Sequence, residues 1–393
     1  MNAVIFGAGK IARGFVGHLL SLSGIPFTFV EYNRDLVELL ERRGRYFVEV
    51  MGNPAQSVEI SGYRAIALDD HDAVARAWAE APLAFTCVGG KNLAGLAAHL
   101  ADLVPMRQAL TDSGSVANVI TCENWKEPAD LLRKGIRARL PAQAAECFTK
   151  TFGISEAVVM RSAVEPTPEH LALDPLWVSV QDFWELPVDR ARILGTAPEV
   201  KGIHYIDGFS GYLERKFYTY NAANGTTSYL GYLRGHKYLF DAANDPWILK
   251  NLEGVYAETG RALAAKHGIL LKEHEAFVAS SLRKLQDRNI IDYVERNARD
   301  PLRKLGPEDR LVGSARLVEK FGIEPKHLAR SIAAAIHYNE PSDPLAQSLN
   351  HLLKTEGADR VLMDICKIHP DEPLGQLVKN AIADLRAEGV LSC

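Results

Sequence analysis

The sequence predicts an α/β protein: a Rossmann-type doubly wound parallel sheet followed by a mainly α-helical second domain. Three observations carry this. A short apolar run, Ala3-Val4-Ile5-Phe6, leads straight into Gly7-Ala8-Gly9-Lys10-Ile11-Ala12. Strand-like apolar runs then alternate with helix-like segments, the order that builds a parallel sheet. Beyond about Ser210 the alternation stops and long helical patterns take over.

Each element follows from local pattern. Ala3 to Phe6 is continuous and apolar, as a strand buried on both faces should be. Lys10 to Leu22 reads as a helix, Gly24-Ile25-Pro26 as a turn, and Phe27 to Val30 as the next strand, ending at Glu31. Leu36, Val37, Leu39 and Leu40 have helical spacing. Tyr46, Val48 and Val50 alternate with polar residues, predicting a strand exposed on one face. Leu83 to Val88, closed by Gly89-Gly90, and Asn118 to Cys122, closed by Glu123-Asn124, are further buried strands. Trp177 to Phe183 predicts one more alternating strand. Trp247 to His267 and Glu324 to His337 predict long helices. The expected domains are 1–200, binding a dinucleotide, and 201–393, carrying substrate and chemistry. Gly195 to Gly208 is the expected connection.

Composition narrows the function classes. A chain of 393 residues, 47% hydrophobic and 24% charged, can bury a large core without staples or metals. A net charge of -4 argues against nucleic acid or an anionic membrane as the main partner. Cys87, Cys122, Cys147, Cys366 and Cys393 are scattered and form no CxxC pair, so they read as reduced thiols of a cytoplasmic protein. No HExxH motif or other metal-ligand spacing occurs, and no metal is expected. No apolar run reaches about 18 residues, so no transmembrane helix is expected. Met1 to Gly9 leads directly into the glycine motif, which leaves no room for a signal peptide. Monomer and homodimer both stay open.

The glycine motif fits the dinucleotide fingerprint, and its context strengthens it: a strand before, a helix after, and Glu31 about 20 residues on. Gly7 permits the tight turn, Gly9 lets backbone approach a pyrophosphate, and Ala12 lets helix and strand pack closely. Lys10 and Ile11 open the helix whose N-terminus faces the phosphates. Glu31 should bond the adenosine ribose hydroxyls and favour NAD over NADP. Arg34 either softens that preference or is a plain exposed helix-start residue. Val88 and Gly89, at a strand's C-terminal end, should lie along the cofactor.

The densest polar cluster is Glu214 to Gly225. On an α-helix, Lys216, Asn224 and Asn221 lie at about 0°, 80° and 140° around the axis, sharing a broad face. A buried lysine can remove an alcohol proton, and asparagine amides can stabilise the oxygen as its charge changes. Taken alone, the segment reads more simply as a solvated lysine beside surface amides.

Several segments, in order along nearly the whole chain, resemble the polyol-specific long-chain dehydrogenase family. They are Phe6 to Phe15, Cys122-Glu123-Asn124, Glu214-Arg215-Lys216, Pro301-Leu302-Arg303-Lys304-Leu305 and Ile332 to His337. The start on the first strand resembles the family's phosphate-using branch. That resemblance implies a NAD-dependent, metal-independent secondary-alcohol dehydrogenase interconverting a polyol phosphate, such as mannitol 1-phosphate, and a ketose phosphate, such as fructose 6-phosphate. The family uses Lys-x4-Asn-x2-His. Lys216 then falls on the general base and Asn221 on the oxyanion-stabilising amide. Asn124 falls near the reacting oxygen. Arg303 and Lys304 fall on a motif that binds polyol or its phosphate, with a structural ion pair as the alternative. The substrate should lie between the two domains. His337 would reach the substrate or merely pack at a helix end.

Two positions depart from the family. Asn224 replaces its histidine, and Met160 replaces the acidic residue before Arg161. An unphosphorylated polyol or hexuronate as substrate, and a catalytically silent NAD-binding protein, are the rival readings. Trp125, Trp177, Trp184 and Trp247 are expected in core or interface positions.

Overall fold

The computed structural model describes residues 1–112 and 114–391, so Cys393 lies outside the described residues. The chain forms two compact units, Met1–Phe209 and Ser210–Cys393.

In the first unit, six strands form a parallel sheet: β1 (Ala3–Phe6), β2 (Phe27–Glu31), β5 (Arg64–Ala67), β6 (Leu83–Thr86), β7 (Ala117–Thr121) and β8 (Phe152–Glu156). Their order is β5-β2-β1-β6-β7-β8. The chain builds outward from β1 through β2 to β5, then returns to lay β6 against the other side of β1. That reversal opens a crevice at the C-terminal ends of β1 and β6, where sheets of this kind bind ligands. Side chains alternate between faces. Ala3 and Ile5 join one core with the helix over 10–22, while Val4 and Phe6 join another with Val74, Trp78, Leu100 and Leu132.

A second sheet of four strands has the order β4-β3-β10-β9, with β3 at Arg45–Val50, β4 at Val58–Ser61, β9 at Ala163–Val164 and β10 at Val178–Val180. As expected, β3 buries Tyr46, Val48 and Val50 and leaves Phe47 and Glu49 partly exposed. The run at 177–183 does not alternate as expected: Val178, Ser179 and Val180 are all buried. Val178 and Val180 press on the helix over 10–22, and Ser179 bonds Glu49 Oε2 on β3 at 2.6 Å. The stretch 195–208 is more than a connection, because it contains β12 (Ile203–Ile206), paired in parallel with β11 (Leu186–Asp189).

The second unit is helical, and no helix among the described residues is long and apolar enough to cross a membrane. Its core surrounds the alanine-rich helix Lys326–Ile336, in which Ile332 to Ile336 are fully buried. Small side chains let the helices Ala222–Leu233, Pro246–His267 and Pro373–Ala387 approach it closely. Glu258 caps this helix by accepting hydrogen bonds from the backbone N–H of His327 at 2.8 Å and of Leu328 at 3.1 Å. Of the tryptophans expected in core positions, Trp184 and Trp247 pack against the cores of their units, whereas Trp125 is half exposed.

Gly14 lies where the helix over 10–22 meets the second sheet. A Cβ there would lie 2.6 Å from Cγ1 of both Val178 and Val180. β-branched valines cannot swing clear. Gly14→Ala is expected to destabilise the first unit by about 1–3 kcal/mol in urea denaturation; an unchanged midpoint would show that the sheet yields at this contact.

Candidate active site

The glycine loop is built at the crevice between β1 and β6. Gly7 has φ +95°, and a Cβ there would lie 2.7 Å from the Cys87 carbonyl oxygen, so only glycine fits. Above Gly9 nothing lies within 4 Å of a would-be Cβ, leaving its backbone face open to a ligand. Ala12 is fully buried, as close helix packing requires. Lys10 forms an ion pair with Glu165, and Ile11 packs partly buried against the core.

Around Ala12–Val16 the helix widens into a π turn, with the Gly17 N–H reaching the Ala12 carbonyl. Arg13, buried beneath, donates from Nη1 to the Ala8 carbonyl. Glu31 accepts from the Ala8 N–H at 2.7 Å through Oε2 and from the Asn33 N–H at 2.9 Å through Oε1. It therefore holds the loop from the end of β2, with lone pairs left for a ribose. Arg34 is exposed and turned to Asp69 Oδ2, with Nη2 at 2.6 Å.

Phe6, Gly7, Gly9, Glu31, Val88 and Asn92 are among the residues lining a cleft of about 510 Å³ along this edge. Gly89 has φ +82°, and the Val88 N–H donates to Glu123 Oε1 at 3.1 Å. Glu123 also accepts from Thr86 Oγ1 at 2.7 Å, and burial pushes its carboxyl up to about 7. This buried clamp on the Val88-Gly89 turn was visible in sequence only as the middle of Cys-Glu-Asn. The next residue, Asn124, stands exposed beyond the end of β7. Trp125 lies over Gly90, whose would-be Cβ falls 2.1 Å from the indole. Met160 is buried, and Arg161 bonds the carbonyls of Gln181 at 2.8 Å and Gly14 at 3.1 Å, which makes it an internal brace.

In the second unit, Lys216 ends the helix Phe209–Lys216, and Phe217–Asn221 forms a π turn before the helix Ala222–Leu233. The Ala222 N–H reaches the Phe217 carbonyl, five residues back. In an α-helix, Lys216 and Asn221 would point about 140° apart. With an i→i+5 turn between them, Asn221 returns to roughly the face of Lys216, one turn along. The five-residue spacing thus places both groups on one side, more closely than α-helical geometry allows.

A cationic cluster surrounds Lys216. Burial, and then the Arg310 guanidinium, push the Lys216 ammonium down to about 8. Arg310 bonds Asp309 Oδ1 at 2.9 Å, and Arg303 reaches Oδ2 of the same carboxylate at 3.2 Å. Arg303 also pairs with Asp300 at 2.7 Å. Lys304 is buried, donates to the Asn297 carbonyl at 2.5 Å, and is pushed down to about 7 by burial and then by Arg310 and Arg303.

Sequence reasoning missed Lys284, on the helix Leu271–Gln286. Burial, and then Lys216, push it down to about 8. Seven residues earlier, on the same face, Phe277 packs on Tyr220 of the π turn at 5.0 Å. A single lysine in an amphipathic helix gives no local signal that distinguishes it from a solvated one. His337 closes its helix with Nδ1 on the Ala333 carbonyl at 2.9 Å, and the charge bearing on it is Arg386. Among the described residues no cluster of three or more His, Cys, Asp or Glu could hold a metal ion.

Fold and site together define a Rossmann-type dehydrogenase with a helical second domain. Residues 1–202 match the mannitol dehydrogenase Rossmann domain and residues 209–364 the mannitol dehydrogenase C-terminal domain. The chain belongs to the mannitol dehydrogenase family. It is 35% identical over 379 residues to a mannitol-1-phosphate 5-dehydrogenase of Bacillus velezensis, covering 96% of this chain and 98% of the relative. It is 34% identical over the same length to the protein of that name in Bacillus subtilis, covering 96% of this chain and 98% of the relative. A D-sorbitol dehydrogenase crystal structure shares the fold with a TM-score of 0.83 at 16% identity, covering 99% of this chain and 94% of the other. So does a Pseudomonas fluorescens mannitol 2-dehydrogenase, solved with NAD and D-mannitol, at a TM-score of 0.67, 15% identity, and coverage of 99% and 92%.

Holding Lys216 in this surrounding has a consequence for stability. Its folded value of about 8 lies below the ordinary 10.5, so the unfolded chain binds more protons between these pH values. Stability therefore rises with pH through that window. Lys216→Met is expected to stabilise the protein at pH 7 by on the order of 1–3 kcal/mol and to flatten part of that rise. Urea denaturation at pH 7 and 10 checks this; a destabilised variant at pH 7 would mean that Lys216 is not held against its charge.

Proposed function

We propose that the protein is a NAD-dependent secondary-alcohol dehydrogenase that interconverts a polyol phosphate, such as mannitol 1-phosphate, and a ketose phosphate, such as fructose 6-phosphate. One observation carries this reading: in a chain of the mannitol dehydrogenase family, a half-buried Lys216, its ammonium pushed down to about 8, lies on the same side of the helix as Asn221 across a π turn. Relatives at 34–35% identity over nearly the full length are named as mannitol-1-phosphate 5-dehydrogenases.

The glycine loop fits the cofactor, because Gly7 admits no side chain and the Gly9 face is open. Gly7, Gly9 and the start of the helix with Lys10, Ile11 and Ala12 hold the pyrophosphate, Glu31 the ribose, and Val88 and Gly89 flank the rest. NAD supplies the acceptor for hydride when bound. In alcohol oxidation Lys216 Nζ takes the hydroxyl proton. Near its depressed value the amine is neutral often enough to serve as base and basic enough to accept. Asn221 donates a hydrogen bond to the oxygen as it becomes a carbonyl. Lys304, Arg303 and Arg310 give the site an excess of positive charge that suits a phosphate ester. Arg303 pairs with Asp300 and Asp309, and Arg310 with Asp309, so both are partly structural.

A panel of polyols, polyol phosphates, ketoses, ketose phosphates and uronates, read by nicotinamide absorbance, tests the assignment. NADH should be consumed with fructose 6-phosphate or a close ketose phosphate. Activity confined to unphosphorylated sugars or uronates would move the substrate class, and no turnover with any substrate would overturn the enzyme reading. Lys216→Ala should slow turnover about a hundredfold or more while leaving NADH binding intact. For the wild type, kcat/KM for alcohol oxidation should fall as pH drops below about 8, where Lys216 holds its proton. A flat profile would take Lys216 out of the proton transfer.

A further inference from the structure

Asn224 is held in one orientation by hydrogen bonds that begin at a backbone atom. Asn297, on the short helix Val294–Ala298, donates from Nδ2 to the Tyr293 carbonyl at 3.0 Å. A carbonyl only accepts, so the NH2 of Asn297 must face Tyr293 and its Oδ1 must face away. Asn224 Nδ2 meets that Oδ1 at 3.0 Å. An amide oxygen also only accepts, so the Asn224 amide is fixed in turn. The two amide orientations that are otherwise interchangeable are here decided by Tyr293.

The support is itself anchored. Lys304 donates to the Asn297 carbonyl at 2.5 Å, and Tyr229 Oη, on the same helix as Asn224, donates to the Ala298 carbonyl at 2.9 Å. The short helix is thereby tied to the helix that carries Asn224. What remains to Asn224 is one N–H and the acceptor Oδ1. That oxygen accepts nothing among the described residues, and it is not one of the sealed, unpartnered atoms of the interior.

An imidazole at this position could give one N–H to Asn297 and present its other nitrogen as an acceptor. The tethered amide also presents an acceptor. It differs in having no proton to gain near neutral pH.

We propose that Asn297 is a positioning residue that fixes Asn224 as a hydrogen-bond acceptor for a hydroxyl of the polyol. The proposal rests on the dehydrogenase reading. Asn297 acts only through Asn224, and this gives it a signature that general damage to the fold lacks.

The experiment is a double-mutant cycle of Asn224→Ala and Asn297→Ala, read as kcat and KM for the polyol phosphate identified in the panel. Each single change is expected to raise KM about tenfold with kcat held within about threefold, and the double variant should be no worse than Asn224→Ala alone. Additive losses, near a hundredfold, or a neutral Asn297→Ala would overturn the proposal. Asn297→Leu serves in the same cycle if the alanine variant does not fold. If the wild type turns over nothing, the dehydrogenase reading fails, and the tether is read from the Asn224 side-chain amide resonances of selectively labelled protein. A shift of those resonances in Asn297→Ala supports the positioning role; unchanged resonances overturn it.

Discussion

The wide turn over Phe217–Asn221 is the constraint on which the arrangement around Lys216 depends. On a regular α-helix a lysine and an asparagine five residues apart lie about 140° apart, at the two edges of a broad face. Inserting one residue into the turn costs hydrogen-bond regularity, and such turns are frequent at functional sites. Here the cost is offset by packing. Tyr220 sits on Phe277 and Phe217 lies against the Arg310 guanidinium, so the turn is held by aromatic contacts on two sides. Those elements also bring Arg310 and Lys284 to Lys216. The turn and the elements packed on it therefore set the surroundings of Lys216.

The first unit solves a different problem by similar means. Its glycine loop must stay open to a ligand without collapsing. Two carboxylates keep it in place: Glu31 from the end of β2 on Ala8, and Glu123 from beyond β7 on Val88. Each accepts hydrogen bonds from backbone N–H groups. Glu123 is buried, and burial pushes its carboxyl upward despite those bonds. The loop is thus rigid from beneath and open above Gly9.

Much of this architecture was legible because its signals are local. The apolar run at Ala3–Phe6, the glycines that follow and Glu31 at the end of β2 need only their own neighbours to be read. The misreadings have a common cause in nonlocal pairing. Val178 to Val180 do not alternate in burial because the strand is covered on one face by the helix over 10–22 and its serine is engaged by Glu49. Ile203–Ile206 is a strand because Leu186–Asp189 pairs with it. Helical spacing already puts Lys216 and Asn221 on one broad face, but the π turn that narrows the angle between them carries no local sequence signal. Asn297 and Lys284 carry no signal at all in the sequence; the first lies 73 residues from the amide it holds.

The central claim is that Lys216 is a lysine kept near its neutral form by burial and by Arg310. The most direct measurement is a pH titration of Lys216 itself, by competitive amine labelling resolved by peptide mass spectrometry. An ionisation near 8 is expected. A value near the ordinary 10.5 would show Lys216 to be a solvated surface charge and remove it as the proposed base.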